Sequence, residues 1–471
     1  MSEIKKVKNI VIGGGPAGRL ASLELGKLGE ETLLIEKGNI GGTCCNEGCM
    51  VVCALSDISK FMNNFKRFEN LGFIDGNINF DYKTATDKVK ETQKIFRKIN
   101  QRENESVNNT IIYGEAEIIE AKDDEIIIKI KNNNDSEDTK EEIYKCEKLL
   151  IATGAKKIIP KIKGVDFAIT SSDILNINKL PKSLNIIGGG IIATELSNLF
   201  SSFGCKVNMI VRTEALKDLD EDVKEYVVDI LLKNINIYEN TNTLEIKENS
   251  VITDKGEFEG KTLIATGRVP NTKLVENFIE LNQEGSIKVN EFLQSSNKNI
   301  YAAGDCIGGM NLTPIARREG ICAARNMAGY LNKIENIIVP QALTLDLDVS
   351  FTKKVNDYNF DNKTNNEENT DKNTDENKNE NKNDKIIDLK LPGLGGPGAF
   401  WRVLDLETGM TKVSINTETE EIEKICSISP TSGETTAYLT FLMNNKFKKD
   451  NFDDYLEVHP SNDAYYPILK S

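Results

Sequence analysis

The chain has 471 residues, of which 39% are hydrophobic and 28% are charged, and its formal net charge is −14. This length predicts about two to four domains, and the acidic charge argues against nucleic-acid binding, which needs a basic surface. No apolar run approaches the roughly 20 residues of a membrane span, and no signal-peptide core precedes the first predicted strand. We therefore expect a cytoplasmic protein that binds neither nucleic acid nor membranes.

The first predicted elements have the order strand, glycine turn, helix, strand and acid. An apolar run at Ile10–Ile12 precedes the turn Gly13–Gly18, and a predicted helix continues through Leu28. The second strand, Thr32–Ile35, ends at Glu36. Glycines let the backbone approach a pyrophosphate at the helix N-terminus, and the acid can accept hydrogen bonds from ribose hydroxyls. The predicted dinucleotide-binding residues are Gly13, Gly15, Pro16, Ala17, Gly18 and Glu36.

A cysteine-rich segment follows and holds four of the nine cysteines between Cys44 and Cys53. In a reducing compartment, cysteines stay reduced unless they perform redox or metal chemistry. The segment after Gly48 is predicted to be helical, which places Cys49 and Cys53 on one helix face. At this point a redox disulfide, a soft-metal site and small core residues are all open interpretations. The isolated cysteines, predicted to be small buried or surface residues, are Cys146, Cys205, Cys306, Cys322 and Cys426.

The strand, turn and helix pattern repeats in the middle of the chain. Leu184–Ile187 is followed by the turn Gly188–Ala193, a helix to Phe203 and a strand at Cys205–Val211. Arg212 stands beside the position where the first unit has its acid, and a cation there suits the 2′-phosphate of NADP. We therefore favour NADP over NAD, with a solvated strand-end arginine as the alternative. The residues predicted to bind this nucleotide are Gly188, Gly190, Ala193 and Arg212.

Two similar segments, Leu149–Gly154 and Thr262–Gly267, bracket the second unit, as if one domain were inserted into another. Two dinucleotide folds in one enzyme usually indicate electron transfer between two cofactors. Further along, Asp361–Lys385 contains no apolar residue and is predicted to be a disordered, solvated loop. After the loop, alternating apolar and polar residues within Gly393–Ile428 predict antiparallel strands, and Tyr438–Asn444 predicts a helix.

These motifs resemble those of the flavoprotein disulfide reductases with two dinucleotide-binding domains, the family of dihydrolipoamide dehydrogenase, glutathione reductase and mercuric reductase. The resemblance implies an α/β fold with two Rossmann-like domains, one inserted in the other, and a C-terminal α+β dimerisation domain. The implied domains are 1–155 and 267–338 for FAD, 156–266 for NAD(P), and 339–471 for dimerisation, with a disordered insertion at 355–386. Further cofactor-binding residues implied by the motifs are Gly42, Thr43, Gly154, Gly267, Arg268, Gly304, Asp305 and Thr313.

The resemblance also implies a role for the cysteines and a reaction. Glu36 would bind the adenosine ribose of FAD, and Asp305 its ribityl chain. Electrons would pass from NADP(H) or NAD(H) through FAD to a Cys44–Cys49 disulfide, entering at Cys49. Cys44 would then attack a small-molecule or protein disulfide. His459 is the single histidine of the chain. In a homodimer, the His459 that transfers protons at one site would belong to the partner subunit.

The sequence departs from the family pattern at three places around this site. Cys53 stands where relatives carry a lysine that lies near flavin N5 and pairs with the glutamate matching Glu195. The resemblance places Glu195 among the catalytic residues. An unpaired buried carboxyl should have a raised pKa or find another cation. Ile191 replaces the tyrosine that shields the nicotinamide. Ala464 replaces the glutamate that orients the histidine, which leaves either the adjacent Asp463 in that role or an unassisted histidine.

Three competing functions remain open at the level of sequence. The first is dihydrolipoamide dehydrogenase itself, running toward NAD⁺. The second is a flavin oxidase or quinone reductase in which the disulfide is incidental. The third is a soft-metal thiolate site made by Cys44, Cys45, Cys49 and Cys53 on the same scaffold, although their spacing is not that of a structural zinc site, and we predict no dedicated metal ligands. The substrate disulfide and the roles of Cys45 and Cys53 stay unassigned.

Overall fold

The computed structural model describes residues 4–122, 125–132, 141–355, 385–452 and 454–470. Nearly all of the insertion predicted at Asp361–Lys385 lies outside the described residues.

The strands and helices are numbered in chain order. The strands are β1 (Ile4–Ile12), β2 (Thr32–Glu36), β3 (Thr110–Lys122), β4 (Glu125–Asn132), β5 (Glu141–Ile151), β6 (Ala155–Lys157), β7 (Ile169–Thr170), β8 (Ser183–Ile187), β9 (Lys206–Ile210), β10 (Asn236–Tyr238), β11 (Thr243–Lys247), β12 (Ser250–Thr253), β13 (Gly256–Glu259), β14 (Lys261–Ile264), β15 (Arg268–Pro270), β16 (Ile300–Ala302), β17 (Ile338–Leu343), β18 (Asp348–Lys354), β19 (Ile386–Pro392), β20 (Met410–Asn416) and β21 (Ile422–Ser429). The α-helices are α1 (Pro16–Lys27), α2 (Gly42–Asn46), α3 (Cys49–Asn70), α4 (Tyr82–Glu105), α5 (Ile191–Ser202), α6 (Glu221–Tyr226), α7 (Thr313–Met327), α8 (Ser432–Asn444) and α9 (Tyr465–Lys470).

The first sheet is built from two separate stretches of the chain. Its parallel strands have the order β3-β2-β1-β5-β16, and β4 pairs antiparallel with both β3 and β5. Strand β16, which follows the second nucleotide unit in sequence, pairs Ala302 with Ile151 of β5. The apolar residues at the carboxyl ends of β1 and β5, Ile10–Ile12 and Leu149–Ile151, are almost fully buried because helices cover this sheet, as in other parallel α/β folds.

The second sheet belongs to the inserted unit. It is fully parallel, with the order β10-β9-β8-β14-β7. The antiparallel strands β11, β12 and β13 form a small sheet beside it, and β6 pairs with β15 where the chain enters and leaves the unit. The predicted arrangement of one Rossmann-like unit inserted into another is therefore confirmed.

The C-terminal part is an antiparallel sheet with helices. Its strand order is β17-β18-β21-β20-β19, and all neighbours are antiparallel. Helix α8 packs on it, and Tyr465 of α9 is fully buried in the same core. The antiparallel strands and the helix predicted in this region are confirmed. Strand β19 begins at Ile386, the last residue of the predicted insertion.

Small residues allow the two helices of the first domain to touch. A Cβ atom added to Gly320 of α7 would lie 2.2 Å from the carbonyl oxygen of Ala17 in α1. Only glycine permits this approach, which places the start of α1 against the middle of α7. Within the described part of the chain, no helix is long and apolar enough to cross a membrane.

Candidate active site

The first glycine turn forms a cradle at the carboxyl end of β1. Gly13 has a φ of +106°, and an added Cβ atom would lie 2.2 Å from the carbonyl oxygen of Ala152. A Cβ atom added to Gly18 would lie even closer to the carbonyl oxygen of Gly13. Helix α1 begins at Pro16 without a side-chain cap at Gly15. Its first N–H groups are therefore available to an anion, which is the arrangement that binds a pyrophosphate.

Glu36 at the end of β2 closes one side of this cradle. Its carboxylate accepts hydrogen bonds from the backbone N–H groups of Gly14 and Gly38, each at 2.6 Å. These two contacts hold the carboxylate at the turn. Each carboxylate oxygen has more than one acceptor position, so a ribose hydroxyl can still donate to it.

The cysteine segment begins in contact with the same turn. The backbone N–H of Gly41 donates to the carbonyl oxygen of Gly14 at 2.8 Å. A Cβ atom added to Gly42 would lie 2.7 Å from the Cα atom of Gly15. Both Gly41 and Gly42 have positive φ, 100° and 57°. The tight turn sets the start of α2, and Cys44 lies within that helix.

Cys44 and Cys49 are adjacent and both are free thiols in this structure. A hydrogen bond from the Cys49 thiol lowers the pKa of Cys44 to about 6, and the hydroxyl of Thr313 and the charge of Arg317 act in the same direction against burial. The pKa of Cys49 is raised well above its ordinary value by its hydrogen bond to Cys44, by burial and by the negative charge on Cys44. Cys44 therefore carries the thiolate, and Thr313 Oγ1 lies 3.8 Å from Cys49 Sγ.

The other two cysteines of the segment have different surroundings. Cys45 is buried against Gly41, and burial raises its pKa. Cys53 is exposed on the same face of α3 as Cys49, as predicted. Burial of its thiol and the negative charges of Cys49 and Glu195 raise the pKa of Cys53. Among the described residues, no group of three or more His, Cys, Asp or Glu side chains is placed to hold a metal ion.

Glu195 has no cation in place of the family lysine. Burial raises the pKa of Glu195 to about 7, and the negative charges of Cys49 and Asp348 act in the same direction. The backbone N–H of Thr344 donates to the carboxylate at 2.9 Å, and this hydrogen bond lowers the pKa. Lys60 on α3 forms an ion pair with Asp348 at 2.8 Å. The predicted rise in the pKa of Glu195 is confirmed.

Arg268 connects three of the predicted cofactor-binding segments. Its guanidinium donates to Thr43 Oγ1 at 3.2 Å and to the carbonyl oxygen of Ala155 at 2.5 Å. Burial raises the pKa of Asp305, and the charge of Arg268 opposes this rise. Gly304 donates its N–H to the buried carboxylate of Glu319 at 2.7 Å. The structure therefore brings these residues to the same edge of the first sheet.

Two further glycines turn the chain where the first domain meets the inserted unit. Gly154 and Gly267 both have positive φ, 67° and 107°. The carbonyl oxygen of Gly154 accepts from the N–H of Asn271, and that of Gly267 accepts from the N–H of Ile158, each at 2.9 Å. These hydrogen bonds tie the entering and leaving strands together beside Arg268.

The second glycine turn repeats the geometry of the first. An added Cβ atom on Gly188 would lie 2.3 Å from the carbonyl oxygen of Ala265, and Ala193 is fully buried behind the turn. Helix α5 begins after Gly190 without a side-chain cap. Arg212 is exposed, two residues after the end of β9. The turn thus offers a second pyrophosphate site, with a cation at the strand end.

The histidine lies on an exposed stretch near the C-terminus. The side chain of His459 is 83% exposed, and its Nδ1 atom lies 3.4 Å from Oε1 of Glu457. Of the two alternatives left by the sequence, the one in which Asp463 orients the histidine is contradicted by the contacts of Asp463. The buried carboxylate of Asp463 instead accepts hydrogen bonds from the hydroxyl groups of Ser427, Ser429 and Thr435. These donors come from β21 and α8, and they saturate the carboxylate.

Some residues of the site were not predicted from the sequence. Glu47, between the paired cysteines, accepts from Lys157 at 3.2 Å and from Ser172. Thr344 contacts Glu195 through its backbone, which no side-chain pattern signals. Glu457 is an acidic residue only two positions before His459, and this short separation was a signal available in the sequence.

Comparisons with known proteins identify the family of this chain. A family model described as pyridine nucleotide-disulphide oxidoreductase matches residues 7–320. The chain belongs to this family. A protein of Methanocaldococcus jannaschii described as uncharacterized is 27% identical over 100% of this chain and 99% of its own length. Dihydrolipoyl dehydrogenase of Geobacillus stearothermophilus is 29% identical over a stretch that covers 72% of this chain and 74% of its own length.

A solved structure has the same fold over nearly the whole chain. The copper(II) complex of the HOCl-induced flavoprotein disulfide reductase RclA from Escherichia coli superimposes with a TM-score of 0.79 at 23% identity, covering 99% of this chain and 98% of its own. The protein is thus an oxidoreductase that uses FAD and NAD(P)H. The two glycine cradles and their uncapped helix N-termini fit the pyrophosphates of these two cofactors.

The low pKa of Cys44 predicts how its reactivity depends on pH. A thiol reacts as the thiolate, which forms above the pKa. In the reduced protein, the rate of Cys44 alkylation by iodoacetamide should be half-maximal near pH 6, rather than near the roughly 8.5 of an ordinary thiol. In the Cys49→Ala variant the donor is lost, and the midpoint should rise toward that ordinary value. A wild-type midpoint near pH 8.5 would contradict the proposed hydrogen bond.

The missing lysine predicts a change in flavin potential. In Cys53→Lys, an ammonium group should pair with Glu195 and keep it ionised, so that the net charge beside the cofactor becomes more positive. A more positive surrounding favours the reduced flavin, and we expect the reduction potential to rise. Spectroelectrochemical titration of wild type, Cys53→Lys and a neutral Cys53→Met control would measure it. Equal potentials in all three proteins would show that position 53 does not act on the flavin.

Proposed function

We propose that the protein is an FAD-dependent NAD(P)H:disulfide oxidoreductase that works through Cys44 and Cys49. The observation that carries the proposal is the hydrogen-bonded pair, in which the Cys49 thiol holds Cys44 as a thiolate near neutral pH. The overall reaction converts NAD(P)H, a proton and a disulfide into NAD(P)⁺ and two thiols.

The glycine turn Gly13–Gly18 and Glu36 would hold FAD, which would supply the redox chemistry that couples oxidation of NAD(P)H to reduction of the Cys44–Cys49 disulfide. The Cys44 thiolate attacks one sulfur of the substrate disulfide, which forms a mixed disulfide and releases the first thiolate. Cys49 then attacks Cys44, which restores the internal disulfide and releases the second thiolate. We assign the proton that accompanies each departing thiolate to His459 of the partner subunit, because no other histidine exists in the chain.

The surface of the C-terminal part supports a homodimer. Several large apolar side chains there are exposed on the single chain, as expected where a second copy packs. They include Tyr438 and Phe441 on α8 and Leu456 and Val458 beside His459. A second copy that covers this surface would bring His459 into a shared site.

Arg212 supports NADP as the preferred nucleotide. It lies just beyond β9, where the adenosine ribose of a nucleotide on the second turn would lie, and it is exposed. Its guanidinium can bind a 2′-phosphate with two hydrogen bonds. The free thiols fit a cytoplasmic protein.

Turnover with a panel of disulfides tests the proposal. NADPH and NADH oxidation would be followed with oxidised glutathione, lipoamide, 5,5′-dithiobis(2-nitrobenzoate) and insulin. Cys44→Ser should lower disulfide reduction on the order of 10³-fold, because the nucleophile is removed, while Cys45→Ser should leave it unchanged. Turnover that survives Cys44→Ser would favour an oxidase or quinone reductase. Faster NAD⁺ reduction by dihydrolipoamide would favour a dihydrolipoamide dehydrogenase.

A further inference from the structure

The segment that carries His459 is mostly exposed and is neither helix nor strand. Leu456 and Val458 are 82% and 90% exposed. Glu457, which stands between them, is partly covered. The side chains of Glu457 and His459, two residues apart in the chain, contact each other.

We infer that Glu457 is the positioning residue for His459. Its Oε1 atom lies 3.4 Å from Nδ1 of the imidazole. The Glu457 side chain is only 18% exposed, although that of His459 is 83% exposed. This inference rests on the proposed proton-transfer role of His459.

The second oxygen of Glu457 provides independent support. Oε2 is buried and has no hydrogen-bond partner among the described residues. A carboxylate that has lost part of its hydration gains more from a nearby donor than one in open solvent. The imidazole N–H is the donor within reach of this carboxylate, so the pair is favoured over separate solvation of both groups.

The alternatives to Glu457 are occupied or absent. Position 464 is a fully buried alanine, Ala464. Asp463 is 3% exposed, and its oxygens accept the hydroxyl hydrogen bonds described above. Of the carboxylates in the segment 454–464, Glu457 is the one that contacts the imidazole.

The contact has a defined chemical consequence. When Nδ1–H donates to Glu457, the neutral imidazole keeps its lone pair on Nε2. Nε2 is then the atom that takes a proton from a thiol and returns it to a departing thiolate. Without the carboxylate, a large share of the imidazole would have its proton on Nε2, in the wrong tautomer for a base at that position.

A tautomer measurement tests the inference directly. The chain has one histidine, so ¹⁵N-histidine labelling of the full FAD-loaded protein gives one pair of ring nitrogen signals. At pH 8.5 we expect the Nδ1–H tautomer to dominate in the wild type. Glu457→Ala should shift the population toward Nε2–H, and the matched control Glu423→Ala, on the exposed side of β21, should not. Equal tautomer populations in wild type and Glu457→Ala would overturn the inference.

A double-mutant cycle tests the catalytic consequence. In the reoxidation of reduced protein by a disulfide, Glu457→Ala should slow the reaction on the order of 10- to 100-fold, part of what a general acid–base group contributes. In a His459→Gln background the same substitution should cost nothing further, because Glu457 acts through His459. Additive losses would overturn the inference. If the wild type reduces no disulfide, the proposed function fails, and the tautomer measurement still decides the role of Glu457.

Discussion

The position of Cys44 and Cys49, the proposed redox pair, depends on a close contact between two glycine turns. Gly42 approaches the Cα atom of Gly15 so closely that no side chain fits between them, and Gly41 donates a hydrogen bond to Gly14. The turn proposed to bind the FAD pyrophosphate is thus the same surface on which the cysteine segment begins. The glycines bring backbone against backbone, which no residue with a Cβ atom would allow at this distance.

The charges around the cysteines follow from this placement. Cys49 begins α3 and contacts Thr313 at the start of α7, while Cys44 lies on the short helix before it. Cys44 therefore receives a hydrogen bond from its partner thiol and the field of Arg317. On α3, Cys53 occupies the position where relatives carry a lysine. Glu195 is therefore not paired with a cation from this position, and its carboxyl group is partly protonated near neutral pH. The site combines a favoured thiolate with an unpaired carboxyl.

Much of the fold could be predicted because its signals are short in sequence. The turns at Gly13 and Gly188, their flanking strands and the helix after Gly48 depend on neighbouring residues, and the structure has them within a few positions. The family motif that predicts the Cys44–Cys49 pair is also short and local in sequence. The elevated pKa of Glu195 was predictable because burial raises it and the family motif shows that no lysine stands at position 53 to oppose the rise.

The remaining features depend on residues far apart in the chain. The hydroxyl groups that occupy Asp463 come from β21 and α8 and meet only in the folded domain. Asp463 therefore looked like a substitute for the orienting glutamate in sequence, yet its carboxylate is committed elsewhere. Glu457 was not predicted because the family motif has its orienting glutamate after the histidine, whereas Glu457 precedes His459 in the chain.

The central claim is that the Cys44–Cys49 pair stores electrons together with FAD. An anaerobic titration of the oxidised, FAD-loaded protein with NADPH, and then NADH, tests it most directly through the number of electron pairs taken up per FAD. The account predicts two pairs in the wild type and a single pair in Cys49→Ser, with both thiols of the reduced wild type becoming open to alkylation. Uptake of a single pair by the wild type, with Cys44 and Cys49 unchanged in their alkylation, would contradict it.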